Sequence, residues 1–292
     1  MSIYIFFFFK LICINAFVLP NRLIFKSKIY NNNLKIINHY DNVTELSKYQ
    51  KGKSIMSISN GYACLSTINI LNNRIYPHNS IIPFCIDYLG RPILYLSNIS
   101  YHSKNIERNS QISLCVTEFG FHDNNDSRII FTGKIKKIFD TSQINTFYKI
   151  FSNSHRNQFW LNFSDFNFYL MENISQISYI EDFGDASRLS IQDYYTAELD
   201  NIYLLSPQVK DSINNKYTYI KESIENYMRL NLNLFKYKDY DKFYFKNIDK
   251  FGINIHIFVN NVTYKIKIPF KNIPNDKKQL ENNILYLFNT YK

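Results

Sequence analysis

Six histidines are the side chains of this 292-residue sequence best suited to ligate a metal or carry a proton near neutral pH: His39, His78, His102, His122, His155 and His256. His102 opens a predicted helix directly after a predicted strand, where backbone N–H groups favour an anion such as a phosphate or a haem propionate. Ser97, Ser100, Lys104 and Asn105 lie around it in sequence and would supply further polar contacts. Each of these residues also suits a cap or a surface position, and His102 a structural hydrogen bond, so both readings stand. His155, followed by Arg156, and His78, just after Tyr76-Pro77, carry imidazoles, a common metal-ligating group, and are further candidates for the same site. His102 or His155 is the candidate ligand should a metal group be bound. His39 falls in a leader and His122 in a polar loop, and neither is assigned a role.

Other chemistry is excluded by what the sequence lacks. It has no Ser/His/Asp arrangement, no His-Glu-x-x-His, no Gly-x-x-x-x-Gly-Lys and no Gly-x-Gly-x-x-Gly, which removes hydrolase and kinase readings. Glu181, Asp182 and Asp185 flank a predicted turn and read as a solvated acidic loop. Cys13, Cys64, Cys85 and Cys115 are too scattered for a disulfide scaffold or a zinc site, and the last three sit in apolar runs, as buried reduced thiols do. The net charge of +10 is uneven: +5 over residues 1–40, −2 over 41–206 and +7 over 207–292. No basic run interleaved with stacking aromatics accompanies it, so nucleic acid is not an expected partner.

The elements that would hold these residues are mostly strands. Residues 62–71, 80–87, 93–96, 111–117 and 128–139 are rich in β-branched and aromatic side chains, and several alternate with period two. Turn chemistry at Asn72-Asn73, at residues 89–92 and at 122–127 separates them, which predicts an antiparallel sheet closed as a barrel. A polar helical turn over 100–108, strands over 166–171 and 176–180, and a helix over 190–197 capped by Ser190 complete this part. Residues 206–216 read as a linker. Beyond it come a helix over 217–235, strands over 242–248, 253–259 and 263–269, and a helix over 276–291, enough for a small second domain.

The apolar residues 3–9 and 11–18 are short and interrupted for a transmembrane helix and read as a secretory signal; the basic, acid-free residues 21–40 read as a transit peptide. Together they suggest a leader addressing a plastid of the apicoplast type. An uncleaved N-terminal anchor or a secretory destination is the alternative. The expected division is a leader over 1–40, a barrel over 41–205, a linker over 206–216 and an α+β domain over 217–292, with no stable membrane span after leader removal.

The motifs Leu65-Ser66-Thr67, Tyr76-Pro77-x-x-Ser80, Asp87-x-x-Gly90-x-Pro92, Ser97-x-x-x-x-His102-x-x-Asn105-Ile106, Ser113-Leu114-x-Val116 and Thr132-Gly133 follow one another in order. In this they resemble the pyridoxamine-phosphate-oxidase-like split barrels, and most nearly the haem-utilisation and glutamyl-tRNA-reductase-binding branch. Asp165-Phe166-x-x-Tyr169, Phe183-Gly184-x-Ala186 and Asp193-Tyr194 are similar to the tail of that barrel. Ile224-x-x-Tyr227-Met228, Asp249-x-x-Gly252 and Ile268-Pro269-Phe270 are similar to the small domain that follows it. The resemblance implies a split β-barrel plus a small α+β C-terminal domain, a homodimer, and a cofactor in the cleft between subunits.

Two departures bear on the cofactor. Flavin-binding members place a Lys or Arg where this sequence has His102, and a neutral imidazole is a poorer anchor for the FMN phosphate. The C-terminal His-Met-Asn-x-Asp-His segment of the branch is here Tyr227-Met228-Arg229-Leu230-Asn231-Leu232, without either histidine. Three functions remain as expectations: haem binding or oxidative haem degradation in an organelle, a non-catalytic adaptor binding a protein of tetrapyrrole metabolism, and an FMN-dependent oxidoreductase.

Overall fold

The computed structural model describes residues 35–39, 43–58, 61–121, 124–155, 158–182, 184–209, 218–231, 242–259 and 262–291. In chain order the elements are β1 (Lys35–His39), α1 (Lys48–Ile58), β2 (Tyr62–Leu71), β3 (Arg74–Ile86), β4 (Pro92–Ser97), α2 (Tyr101–Arg108), β5 (Gln111–Thr117), β6 (Arg128–Lys137), α3 (Thr141–Ser154), β7 (Phe166–Asp182), β8 (Asp185–Leu189), α4 (Ile191–Thr196), α5 (Thr218–Asn231), β9 (Lys242–Asp249), β10 (Gly252–Val259), β11 (Val262–Pro269) and α6 (Lys277–Thr290). The leader up to residue 34, His122, Arg156, Phe183 and the linker residues 210–216 lie outside the described residues.

Alternation makes the barrel. Ala63, Leu65 and Thr67 of β2, Ile112, Leu114 and Val116 of β5, and Ile129, Phe131 and Ile135 of β6 are all buried, while the residues between them face outward. The strands run β4-β3-β2-β5-β6-β7-β8, and pairing of β4 with β7 closes the first six into a ring. Closure leaves β8 at the margin and removes the open edges that a flat sheet would expose. The β2–β3 hairpin turns at Asn72 and Asn73, both with positive φ, as a two-residue turn requires and as the sequence predicts.

The two strands expected over 166–171 and 176–180 are one, β7. No turn interrupts it; instead the register against β6 shifts twice, beside Thr132/Gly133 and Lys134/Lys136. There the β7 backbone comes so close that a Cβ on Gly133 would stand 2.1 Å from the Asn173 carbonyl oxygen, so Gly133 is needed for the approach. The helices α1 and α3 escape the sequence reading because their burial patterns are short and mixed. Helix α3 covers the outward residues of β4: Tyr95 packs on Phe151 and Phe168, giving a satellite core and leaving β4 buried on both faces.

The C-terminal domain has the predicted α-β-β-β-α order, with one addition. β1, inside the stretch read as leader, pairs in parallel with β11 at the edge of this sheet, so the exclusion of residues 35–39 from the fold is corrected. Ile253, Ile255, Ile257, Ile266 and Ile268 form the apolar face, covered by α5 and α6. The opposite face carries Asn254, His256, Lys265 and Lys267 and is buried against the barrel.

Candidate functional site

Helix α2 follows β4 after a three-residue turn and is capped by Ser100, whose Oγ accepts from the Ser103 N–H at 3.4 Å and lies 2.7 Å from the Ser97 carbonyl oxygen. That cap sets the helix against the β2–β3 ribbon and brings His102 to Ser80 of β3, with His102 Nδ1 3.2 Å from Ser80 Oγ. Ser80 is the only hydrogen-bond partner of His102 among the described residues. Burial, and then the neighbouring His78, pushes the His102 imidazole below its ordinary pKa, so it is neutral at pH 7. His78, two residues before Ser80, has a buried Nδ1 with no partner among the described residues, and its ring centroid is 6.3 Å from that of Tyr101. Lys104, one turn along α2 and exposed, lies over the Tyr101 ring at 5.9 Å. The corner between α2 and β3 therefore offers two imidazoles, one ammonium and an aromatic ring that is 74 % exposed.

The other predicted site residues are occupied by the fold. Ser97 Oγ donates to Asp165 Oδ2, and Ser100 is the cap. Asn105 is 2 % exposed and its Nδ2 donates to Thr67 Oγ1 at 3.0 Å. His155 is held by the fold. Its Nε2 bonds the Phe84 carbonyl oxygen at 2.9 Å, its ring stacks on Phe151 at 4.6 Å, and burial lowers its pKa. It plugs the space beside Gly61, where an added Cβ would meet the imidazole at 2.6 Å. What the sequence read as a set of seven resolves to His78, His102 and Lys104, joined by Tyr101 and Ser80.

Between the same ribbon and strands β5 and β6 lies an open, largely apolar groove of about 600 Å³, lined by Ile68, Ile75, Tyr76, Pro77, Ile112 and Gly133. Thr67 links the two regions, since it lines the groove and accepts the Asn105 hydrogen bond behind it.

The acidic residues read as a solvated loop are ion-paired instead. Lys51 bridges Glu45 and Glu181, Lys48 holds Asp185, and Lys265 holds Asp182, which is 4 % exposed. They line the seam between barrel and C-terminal sheet. At its centre Lys246 reaches Glu118 at 2.5 Å, the Asn125 carbonyl oxygen at 2.8 Å and Asp126 at 3.1 Å. Lys246 is the extra residue of a β-bulge, opposite the step from Asn254 to Ile255, which turns its side chain toward the barrel. Burial works against its ammonium, but the two carboxylates outweigh burial and raise its pKa. Burial pushes the Glu118 carboxyl up to about 7 against the pull of Lys246. His256, unassigned from sequence, is pushed down to about 3 by burial and the Lys246 and Lys265 ammoniums, and is a neutral member of this seam. The sequence signal for the seam was present, in the charged and polar residues that alternate with isoleucines in β10 and β11.

Among the described residues no group of three or more His, Cys, Asp or Glu side chains is placed to hold a metal ion, and no helix is long and apolar enough to cross a membrane. Residues 53–196 match the family model described as CREG, beta-barrel. A curated relative from Arabidopsis thaliana, the chloroplastic non-canonical heme oxygenase HOZ, is 23 % identical over 261 residues, covering 87 % of this chain and 77 % of its own. A solved heme binding protein from Mycobacterium smegmatis superposes with a TM-score of 0.60 at 15 % identity, over 85 % of this chain and 99 % of its own, and so has the same fold. Barrel closure and the family match agree: residues 53–196, which match the CREG beta-barrel model, form a closed six-stranded split barrel, followed here by a small α+β domain.

Proposed function

We propose that this chain is a haem-handling split-barrel protein, with the α2–β3 corner as the haem site and His102 as the iron ligand. The observation that carries the reading is the state of His102: neutral at pH 7, with its Nδ1 tied to Ser80. In the tautomer whose Nδ1–H donates to Ser80 Oγ, the imidazole presents the Nε2 lone pair to a metal, the arrangement in which ligating histidines are usually held. Lys104 is placed to pair a propionate, and the exposed Tyr101 ring to contact the macrocycle. The names of the Arabidopsis relative and the Mycobacterium neighbour support haem as the ligand class, and the first also supports a plastid destination, in line with the signal-plus-transit reading of the leader.

A homodimer completes the proposal. The tip of the β2–β3 hairpin carries Ile70, Leu71, Ile75 and Tyr76, all exposed, and a second copy is the occupant that the split-barrel resemblance implies. Light scattering on the purified chain tests it; a monomer at tens of micromolar ends it.

Titration of the protein with haemin, followed at the Soret band, tests the site. Saturable binding that weakens in His102→Ala and Lys104→Ala, and persists in conservative His155 variants that fold, is the expected result. Binding unaffected by His102→Ala sinks the assignment. A colourless protein that instead takes up FMN would favour the flavin reading, and one that takes up neither would favour an adaptor.

A further inference from the structure

The antiparallel register of β2 and β5 sets Cys64 directly opposite Cys115. Leu65 and Leu114, the next pair along, point into the core at 0 % exposure, so the two cysteines share the outer face of the barrel. Both are half-buried free thiols, unlike Cys85, which is buried under α3. The expectation of buried reduced thiols is thus corrected for the burial of Cys64 and Cys115 alone; all three are free thiols and Cys85 is buried. Directly opposed residues of an antiparallel pair have Cα atoms about 4.5–5.5 Å apart, inside the range of about 4.4–6.8 Å that a disulfide spans.

We propose that Cys64 and Cys115 are a thiol–disulfide modification site, closing a reversible cross-strand disulfide within one chain. The geometry asks for no movement of secondary structure, because the backbone ladder already holds the pair in register. The neighbours on the same row are Ile81 across β3 and Ile130 across β6, and the adjacent row is Ser66 with Ser113, which line the groove. The bond therefore forms in the wall beside the groove. Burial and the nearby Cys64 raise the Cys115 pKa, while Arg128 pulls it back.

The oxidant is a disulfide, and the exchange balances. One cysteine thiolate attacks the oxidant's S–S bond, forming a mixed disulfide and releasing one thiolate. The second cysteine thiolate then attacks the protein sulfur of that mixed disulfide, forming the Cys64–Cys115 bond and releasing the second thiolate. The protein gives up two electrons and two protons, and one disulfide becomes two thiols.

The test uses the purified full chain in oxidised glutathione, quenched by alkylation and mapped by mass spectrometry without reduction. The expected result is a Cys64–Cys115 linked peptide, loss of two titratable thiols, and recovery of both on adding dithiothreitol. In Cys115→Ser the glutathione adduct on Cys64 should persist, because its resolving partner is gone. Both thiols remaining free, stable glutathione adducts on the unmutated chain, or a bridge to Cys85 or to a second chain would each overturn the proposal. None of these readouts depends on haem.

Discussion

The seam between the barrel and the C-terminal sheet and the corner between α2 and β3 are both polar places in an aromatic-rich protein, and they are built on opposite plans. In the seam, Lys246 carries three contacts, Lys265 and Lys267 each hold a carboxylate, and Asp249 also receives Asn254 Nδ2. At the corner, His78 keeps a buried nitrogen without a partner among the described residues, and His102 has Ser80 alone. A densely paired buried network, in which Glu45 Oε1 is the one buried side-chain atom without a partner among the described residues of the seam, fixes how two bodies dock, since its paired groups would be costly to unpair. Spare hydrogen-bonding capacity on half-buried groups has no such structural use, and it is what a ligand can satisfy. The difference separates charge that builds the protein from nitrogen that is left for chemistry.

The sharpest way to break the comparison is Lys246→Met. It leaves Glu118 and Asp126 buried without their cation and is expected to cost about 3–5 kcal/mol of stability, read as a fall in the urea midpoint. Replacing all three groups together, as Lys246→Met with Glu118→Gln and Asp126→Asn, should recover much of that loss. A loss under about 1 kcal/mol for the single variant would mean that the seam is wet and its ions replaceable.

His155 belongs with the seam in kind although it lies in the barrel. His155→Ala removes the hydrogen bond to Phe84 and opens a hole beside Phe151 and Trp160, with an expected cost of about 2–4 kcal/mol. A haemin titration of any fraction that folds should be unchanged. Loss of the Soret band with unaltered stability would return His155 to the ligand set.

Glu118 gives the seam a pH dependence. Its folded pKa, about 7, stands above the ordinary carboxyl value, so the folded state binds a proton that the unfolded chain has already released. Its contribution is fully present below the ordinary carboxyl range and is lost as pH rises toward 7. Unfolding between pH 4 and 8 should show that decline, and Glu118→Gln should flatten it. An unchanged slope in the variant assigns the decline to another group.

The barrel and the C-terminal domain were legible because both follow a period-two code punctuated by single residues: Asn72-Asn73 for the hairpin, Ser190 for a helix cap, isoleucine at every second place in β10. The length of β7 was not legible, since bulges interrupt the pattern as a turn would. The site was legible as a neighbourhood but not as a set. Ser97, Ser100, Asn105 and His155 have the right types, and only their partners, which lie up to 71 positions away, reveal that they are occupied. Cys64 and Cys115 were misread for the same reason, because exposure depends on which face of a strand a residue takes and opposition depends on a register set elsewhere.

At the corner the expected effects are on binding and not on folding. His102→Ala removes a half-buried ring whose only described partner is Ser80, so stability should move by less than about 1 kcal/mol. Haemin affinity should fall at least tenfold, about 1.4 kcal/mol. Equal losses in both measurements would make His102 a structural residue like His155.

The smallest effect is the pH at which haemin binding fails. Iron takes the neutral imidazole, and His102 is held below its ordinary pKa first by burial and then by His78. The folded pKa is depressed, so binding should stay flat as pH falls to about 6.5 and weaken only below it. His78→Ala removes the lesser of the two causes and leaves burial in place, so the midpoint should rise and remain below the ordinary value. A wild-type midpoint at or above 6.5 would mean that the ring is better solvated than its contacts with Ser80 and His78 imply, and the corner would then lose the property that sets it apart from a surface histidine.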